Sequence, residues 1–359
     1  MARGLPHFEN INLLRAFAAL SVVVYHVIEH GRWAGFPGEG PLVTFRIGWI
    51  GVDLFFVISG FVIAYSALLL YRADANRFAG RYWRRRLTRI VPLYLLTMFL
   101  WIAFMTHFAS WPASVQARQL LTHLTFTHSF WPDTHGAIDG VNWTLAIEMH
   151  FYLLVAILVP WIDRTPGWRI WLYGVSIACA WRAAMFLTYG PADALHTFMS
   201  TQQLPGALDE FGAGIFLAKR VVDGHKMKGE AWIWSGLAIV TGCITMTVYW
   251  RHASYWDHGW MVVFWRSALA FFLLCVVAAA VRLPQVLASP GLRPVDYLGE
   301  ISYGIYLWHL FAIQLVIYKL GWTEVPALLG VMTLTIAAAS ASWHAFEKPL
   351  MGLARRDRR

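Results

Sequence analysis

The sequence predicts an all-α protein that crosses a membrane with about ten helices. Of its 359 residues, 58% are apolar and 14% are charged, whereas charged residues make up roughly 25% of soluble domains. Its 20 tryptophans and 14 tyrosines are typical of membrane interfaces and cavity linings. Apolar runs of about 20 residues, the length that crosses the hydrocarbon layer, recur along the whole chain.

The apolar runs follow one another without an internal repeat or a low-complexity linker. The first, at 11–29, lacks a small-residue cleavage site, so we interpret it as a retained helix and not as a signal peptide. The segment 117–131 predicts an interfacial or re-entrant helix. We expect one membrane domain, 1–349, and a basic cytoplasmic tail, 350–359. The other nine spans are predicted at 47–71, 88–108, 142–162, 168–189, 204–222, 232–250, 260–281, 297–318 and 326–346.

The basic residues lie mainly on one side of this predicted topology. If the N-terminus is cytoplasmic, 21 of the 29 Lys and Arg residues fall on the inner side and five on the outer side. This bias predicts that both termini are cytoplasmic. The net charge of +9 is therefore explained by the membrane topology and does not indicate a nucleic-acid partner. The three cysteines lie in separate apolar segments, which predicts no disulfide framework.

The first span carries two polar side chains, Arg15 and His26. Eleven residues separate them, so both fall on one helix face, roughly 16 Å apart along the axis. A charge inside a span costs on the order of 3 kcal/mol unless it faces a cavity or a partner, which makes the pair a functional hypothesis. Alternatively, Arg15 extends to the membrane surface and His26 only bonds to a neighbouring helix.

Three more titratable side chains are predicted at the depth of His26. Asp53 and Glu148 lie six residues inward from the outer starts of the second and fourth spans, and His309 lies past the middle of the ninth. At about 1.5 Å per residue, all four occupy one layer in the outer half of the membrane. Such a layer predicts a cavity lined for chemistry or transport, unless each group makes a separate structural hydrogen bond.

Two local patterns add to this layer. Arg86 and Arg89 are three residues apart near the start of the third span, where their guanidinium groups suit phosphate binding or anchoring to anionic lipid. Ser302, Tyr306 and His309 recur at spacings of four and three, which places them on one face of the ninth span.

The ordered segments together resemble the acyltransferase-3 family of integral membrane O-acyltransferases. The resemblance covers the chain from about residue 8 to residue 349, and five segments in this order carry it. These are the Arg15 and His26 pair, GVDLFFVISGFVI at 51–63, RRLTRIVPLY at 85–94, NWTLAIE at 142–148 and GEISYGIYLWH at 299–309.

The resemblance implies a role for several side chains. It implies that His26 is the catalytic residue and that Arg86 and Arg89 engage the acyl-CoA donor. Arg15 matches the basic partner in the first-helix motif, and Glu148 matches the acidic residue after the tryptophan of the fourth span. Members of the family acylate surface polysaccharide, lipopolysaccharide, peptidoglycan or small molecules, so a polysaccharide or lipid-linked glycan is the expected acceptor.

These assignments suggest a mechanism without a metal ion. Acetyl-CoA would bind from the cytoplasm through its phosphates, and His26 would accept the proton of the acceptor hydroxyl. A carboxylate would orient that histidine, and a nearby donor would stabilise the developing oxyanion. A two-step route through an acyl-histidine or acyl-serine stays open. The orienting candidates are Glu148 and Asp53, and the candidates for oxyanion or acceptor contacts are His309, Ser302, Tyr306 and Trp143.

Two other classes of protein are alternatives to this hypothesis. A secondary transporter also places carboxylates and histidines near the membrane middle, but the sequence has no repeated half. A lipid-linked glycosyltransferase would need clustered carboxylates for Mg²⁺, and these are absent from the sequence. The outer segment 109–141, rich in aromatic and acidic residues, is the predicted acceptor contact, and the predicted location is a bacterial inner membrane.

Overall fold

The computed structural model describes residues 8–252, 255–284 and 290–356, and these residues form helices with no β-strand. This confirms the predicted all-α class. The α-helices are α1 (Glu9–His30), α2 (Ile50–Ala73), α3 (Phe78–Phe104), α4 (Ala113–Leu124), α5 (Trp143–Arg164), α6 (Gly167–Tyr189), α7 (Ala194–Thr201), α8 (Leu208–Val222), α9 (Glu230–Arg251), α10 (Arg266–Arg282), α11 (Arg293–Glu300), α12 (Ser302–Ile313), α13 (Glu324–Ser342) and α14 (Lys348–Arg356). Short π-helical segments precede α10, follow α12 and join α13 to α14.

Within the described residues, eight helices are long and apolar enough to cross a membrane, where ten spans were predicted. A ninth span forms if α11 and the helix Ser302–Lys319 count together, and this pair is bent by 73°. The predicted span at 204–222 is instead the 15-residue helix α8, preceded by a 3-10 turn that contains Pro205 and Gly206. It is shorter than the roughly 20 residues that cross the hydrocarbon layer.

Two boundaries of the prediction change. Helix α3 begins at Phe78, ten residues before the predicted start at 88, because arginine is a good helix former and the run of arginines extends the helix beyond its apolar part. The predicted short helix within 117–131 is confirmed by α4. In the predicted tail, α14 continues to Arg356, and residues 357–359 lie outside the described part of the chain.

The chain divides into two compact units. Unit 1 comprises residues 1–14, 53–79 and 147–289, and unit 2 comprises residues 15–52, 80–146 and 290–359. In unit 1, α6 packs on α8 and α9 packs on α10; in unit 2, α12 packs on α13.

Glycines permit the closest helix contacts in both units. In unit 1, a Cβ atom at Gly60 of α2 would clash with the carbonyl group of Phe211 in α8, and one at Gly214 of α8 would clash with the backbone of α2. In unit 2, a Cβ atom at Gly51 would clash with the carbonyl group of Ala18 in α1. Small residues of α2 thus permit the close approach of the helices packed against it.

Candidate active site

Two of the predicted site residues, His26 and His309, form a hydrogen-bonded pair in unit 2. Nε2 of His309 lies 3.1 Å from Nδ1 of His26, and the ring centroids are 5.0 Å apart. His309 is fully buried, whereas His26 is partly exposed. The first and ninth predicted spans therefore bring their histidines together, and only His26 has an edge open to a substrate.

The partners of the two rings fix their tautomers. Nδ1 of His309 lies 2.5 Å from the carbonyl oxygen of Tyr306, which only accepts, so this nitrogen carries the proton. Nε2 of the neutral ring is then an acceptor, and Nδ1–H of His26 donates to it while also facing the carbonyl oxygen of Val22 at 3.1 Å. Nε2 of His26 is therefore left with a free lone pair, which is what a general base needs.

Tyr306 connects this pair to the turn before α5. Its hydroxyl donates to the carbonyl oxygen of Val141 at 3.1 Å and accepts from Thr144 at 3.0 Å. Gly140, in the same turn, has φ +77°, and a Cβ atom there would lie 3.1 Å from Leu310. The hydroxyl proton of Tyr306 is thus donated to the carbonyl oxygen of Val141. Donation by Tyr306 to the thioester stays a prediction, and it would require this hydrogen bond to break.

A buried carboxyl group organises the same turn. Oδ1 of Asp139 accepts from the backbone N–H groups of Val141 and Asn142, at 3.2 and 2.9 Å. The carbonyl oxygen of Asn142 also accepts from Nε2 of His128 at 3.1 Å. Burial raises the pKa of Asp139 to about 7, against the lowering effect of its two backbone hydrogen bonds.

The histidines of the predicted acceptor segment face the interior. His123 and His128 are fully buried, and their rings stack in parallel with centroids 4.2 Å apart. Burial lowers the pKa of His123 to about 4 and that of His128 to about 3, so both rings are neutral near pH 7. These two side chains therefore pack the segment onto itself, and the predicted acceptor contact of the segment 109–141 stays a prediction.

Substituting Asp139→Asn is expected to stabilise the protein more at pH 8 than at pH 5. The folded-state pKa near 7 lies above the unfolded value of 3.8, so the wild-type carboxyl group costs stability as pH rises from about 4 to 7. The advantage of the variant should grow by about 3 kcal/mol between pH 5 and pH 8. Tryptophan fluorescence of thermal unfolding at both pH values measures it.

The control for this measurement is Asp133→Asn. Asp133 is exposed and pairs with Arg118 at 2.8 Å, so its substitution should shift the unfolding temperature similarly at both pH values. If the unfolding temperatures of the Asp139 and Asp133 variants change equally between the two pH values, the carboxyl group of Asp139 is not held neutral by burial in the turn.

Arg89 occupies an aromatic site at the start of α12. Its guanidinium lies over the rings of Trp343 and Tyr303, at 5.3 and 5.9 Å from the centroids. Its polar contacts are long: 3.3 Å to the carbonyl oxygen of Glu300 and 3.9 Å to Oε2 of the buried Glu347. The guanidinium group of Arg89 is therefore positioned by aromatic rings but is not closely paired with a carboxylate among the described residues. This arrangement suits the binding of an anion.

The other two predicted donor-binding arginines also lie in unit 2. Arg15 is near enough to Glu347 to interact with it electrostatically, so Arg15 and Arg89 share one acidic neighbour. Arg86 stacks over Tyr82, 5.6 Å from the ring centroid, and because α3 begins at Phe78 it lies in the third turn of the helix and not at its start. Glu347 itself was not singled out from the sequence, although it is an ionisable residue next to an apolar run.

Glu148 forms a polar cluster within unit 1. Its Oε1 atom accepts hydrogen bonds from Ser59 at 2.9 Å and from Tyr152 at 3.0 Å. Glu148 and Tyr152 are four residues apart on α5 and thus share one polar face of that helix. The predicted role of Glu148 in orienting His26 stays a prediction, because in unit 2 the group bonded to His26 is His309.

Asp53 is part of a buried ion-pair network in unit 1. Its Oδ1 atom pairs with Arg266, which also lies 3.2 Å from Glu210, and all three side chains are at most 4% exposed. In the structure, the partner of Asp53 is an arginine. The catalytic role predicted for Asp53 stays a prediction.

A second buried pair adjoins the first in unit 1. Nη2 of Arg182 lies 2.7 and 2.9 Å from the two carboxylate oxygens of Asp209, and Ser267 donates to the same carboxylate at 2.6 Å. Both buried arginines of unit 1 therefore have acidic partners: Asp209 for Arg182, and Asp53 with Glu210 for Arg266.

The remaining predicted contacts lie apart from the histidine pair. Ser302 is buried at the start of α12, seven residues and about 10 Å along the axis from His309. Trp143 is the first residue of α5 and stacks on His135 with centroids 5.3 Å apart. Among the described residues, no group of three or more His, Cys, Asp or Glu side chains is arranged to hold a metal ion.

Comparison with known proteins gives matches over most of the chain. ORF330 of Acidianus two-tailed virus, named as a candidate acetyltransferase, is 29% identical over 84% of this chain and 82% of its own. YrhL of Bacillus subtilis (strain 168), named as a candidate peptidoglycan O-acetyltransferase, is 25% identical over 96% of this chain and 55% of its own. The O-acetyltransferase OatA of Staphylococcus aureus (strain NCTC 8325) is 24% identical over 97% and 57%.

The chain therefore spans little more than half the length of YrhL and OatA. No solved structure matches it significantly. A family profile described as an acyltransferase domain matches residues 8–344, a range that contains both histidines of the pair and Arg89. The chain belongs to the acyltransferase-3 family, and eight helices among its described residues are long and apolar enough to cross a membrane.

Proposed function

We propose that this chain is an O-acetyltransferase that moves the acetyl group of acetyl-CoA to a hydroxyl of a glycan in the bacterial cell envelope. The observation that carries the proposal is the pair formed by His26 and His309, in which Nε2 of His26 has a free lone pair and a partly exposed edge. The family of the chain and the O-acetyltransferases among its relatives support the reaction class.

The donor site in this proposal is at the opposite ends of the same helices. Arg15 precedes His26 on α1 by roughly 16 Å, and Arg89 contacts the start of α12, the helix that carries His309. The phosphates of CoA would bind Arg89, Arg15 and Arg86, since guanidinium forks suit phosphate. The pantetheine arm would then extend towards the histidine pair.

The transfer step needs only the side chains already described. The acceptor oxygen attacks the thioester carbonyl carbon while its proton moves to Nε2 of His26. The bond from that carbon to sulfur then breaks, and the leaving thiolate takes the proton from Nε2. The products are an acetyl ester and CoA with a free thiol. While His26 is protonated, the bond from its Nδ1–H to His309 stabilises the positive charge.

Substituting Arg89→Ala is expected to raise the dissociation constant of CoA at least tenfold, because a positioned guanidinium fork is lost. Arg77→Ala is the matched control, since Arg77 is 76% exposed and pairs only distantly with Asp74. Calorimetry on the full chain in nanodiscs measures both. Equal affinities for the two variants would remove Arg89 from the donor site.

The proposed reaction is tested with radiolabelled acetyl-CoA and the reconstituted chain. Transfer of label to an oligomer of N-acetylglucosamine, or release of free CoA, supports it; failure to bind acetyl-CoA at millimolar concentration contradicts it. Denaturing the protein after incubation without acceptor separates the two routes. Label retained on the protein would indicate an acyl-enzyme intermediate, and unlabelled protein would favour direct transfer.

A further inference from the structure

The end of α1 beyond the histidine pair carries a second polar contact between the same two helices. His30 lies one helical turn after His26, and its Nδ1 atom is 3.0 Å from the hydroxyl of Tyr318, near the end of the helix Ser302–Lys319. Tyr318 is 57% exposed. This contact is therefore accessible from outside, unlike the bond between His26 and the buried His309.

The two contacts are close enough to share a ligand. The ring centroids of His26 and His30 are 5.9 Å apart, which leaves room for one hydroxyl oxygen within hydrogen-bond distance of a nitrogen of each ring. A hydroxyl bound by His30 and Tyr318 would then be presented to Nε2 of His26.

Two further polar atoms lie beside an exposed glycine in the turn that follows α1. A Cβ atom added at Gly35 would lie 3.8 Å from Nε1 of Trp33 and 4.0 Å from Oε1 of Glu324, so these two polar atoms flank a position that has no side chain. The turn is held close to Tyr318, because a Cβ atom at Gly31 would be 3.8 Å from the side chain of Ile317. We name His30, Trp33, Gly35, Tyr318 and Glu324 the rim.

The chemistry of the rim is that of a carbohydrate site. An exposed phenol ring offers a face for the apolar side of a sugar, while an imidazole, an indole N–H and a carboxylate offer donors and acceptors for its hydroxyl groups. Anchoring to the membrane interface alone would explain the aromatic rings but would not require the polar atoms beside Gly35.

We propose that the rim is the acceptor subsite and binds a sugar ring whose hydroxyl is presented to His26. This inference rests on the proposed function, and it places the acceptor contact at the end of α1, whereas the sequence predicts it in the segment 109–141. His30 and Tyr318 bind the hydroxyl that reacts, and the polar atoms of Trp33 and Glu324 beside Gly35 bind a neighbouring part of the sugar.

Gly35→Leu tests the polar atoms of Trp33 and Glu324 with little disturbance of the fold. The contacts that a Cβ atom would make at Gly35 are ordinary van der Waals distances, so the larger side chain covers these atoms and need not displace the backbone. Gly38→Leu is the matched control, since Gly38 lies in the same turn region with nothing within 4 Å of its Cβ position. Tyr318→Ala removes the exposed ring, and Trp232→Ala, a 76% exposed tryptophan in unit 1, controls for loss of an interfacial aromatic.

The probes are a pentamer of N-acetylglucosamine and glycerol, which has hydroxyls but no ring. Gly35→Leu and Tyr318→Ala should raise the KM for the pentamer at least tenfold, with kcat within about twofold of wild type and the KM for glycerol unchanged. The two controls should behave as wild type. Unchanged KM for the pentamer in both rim variants would overturn the proposal.

Equilibrium binding of labelled pentamer to the full chain in nanodiscs, without acetyl-CoA, gives a second readout that needs no turnover. Weaker binding in the two rim variants supports the subsite, and either absent binding to wild type or equal binding in all variants overturns it. Failure of the proposed function has a different signature, because acetyl-CoA would then neither bind nor react whatever the pentamer does.

Discussion

His26→Ala is expected to lower kcat for acetyl transfer by about 10³-fold, within the range that general-base catalysis contributes. The dissociation constant of acetyl-CoA should stay near the wild-type value, because the donor site proposed above includes Arg89 at the start of α12 and not the histidine pair. Transfer of radiolabelled acetyl to the glycan pentamer measures kcat, and calorimetry measures donor binding. The physical reason is the loss of the free lone pair on Nε2.

His309→Ala extends this prediction to the second ring. Nε2 of His26 survives in this variant, but the bond that fixes its tautomer and stabilises the imidazolium is lost, so kcat should fall by less than in His26→Ala. The double variant should be no worse than His26→Ala alone, because the two rings act as a unit. If the fold losses of kcat in the two single variants multiply in the double variant, the two histidines do not act as a single catalytic element.

His107→Ala is the control for both substitutions, since His107 is exposed and lies before a 3-10 turn outside the spans. It should leave kcat unchanged. Wild-type transfer in His26→Ala would remove that residue from the mechanism, and loss of donor binding in the same variant would indicate misfolding instead of lost catalysis.

The spans were predictable because their cause is local. A run of about 20 apolar residues is sufficient to cross the hydrocarbon layer, and it can be recognised without knowing its neighbours. The prediction was wrong where length and continuity depend on the backbone: residues 204–207 form a 3-10 turn that shortens α8, and the ninth predicted span is bent by 73° between α11 and α12.

The depth of the site residues in the membrane was predictable from the sequence, but which of them contact each other was not. The rise of a helix places His26, Asp53 and His309 at one level, yet a level does not determine which helices are neighbours. His26 and His309 meet, whereas Asp53 pairs with Arg266 of α10, which the sequence could not match to it. His30 was visible as the residue one turn beyond His26 on the same face, but its significance depends on Tyr318, 288 residues away in the sequence.

The buried pair of Arg182 and Asp209 should dominate the stability of unit 1. Arg182→Met alone is expected to destabilise the protein by about 3–5 kcal/mol, because the carboxylate of Asp209 would stay buried without its partner. Asp209→Asn alone should cost a similar amount, since it leaves the guanidinium of Arg182 unpaired in the interior. Unfolding of the reconstituted chain, followed by tryptophan fluorescence, measures each change.

The double variant Arg182→Met with Asp209→Asn should recover most of that loss. An asparagine at 209 can still accept from the backbone N–H of Glu210 with its amide oxygen at the Oδ1 position, and its amide nitrogen at the Oδ2 position can donate to the hydroxyl of Ser267. Methionine fills much of the volume of the arginine without a charge. Acetyl transfer by the double variant should match wild type, because Arg182 and Asp209 belong to unit 1 and the histidine pair belongs to unit 2. If the double variant is as unstable as the single variants, the pair stabilises unit 1 through the packing of its side chains and not through the compensation of its charges. If the double variant is stable but inactive, Arg182 or Asp209 has a direct part in the reaction.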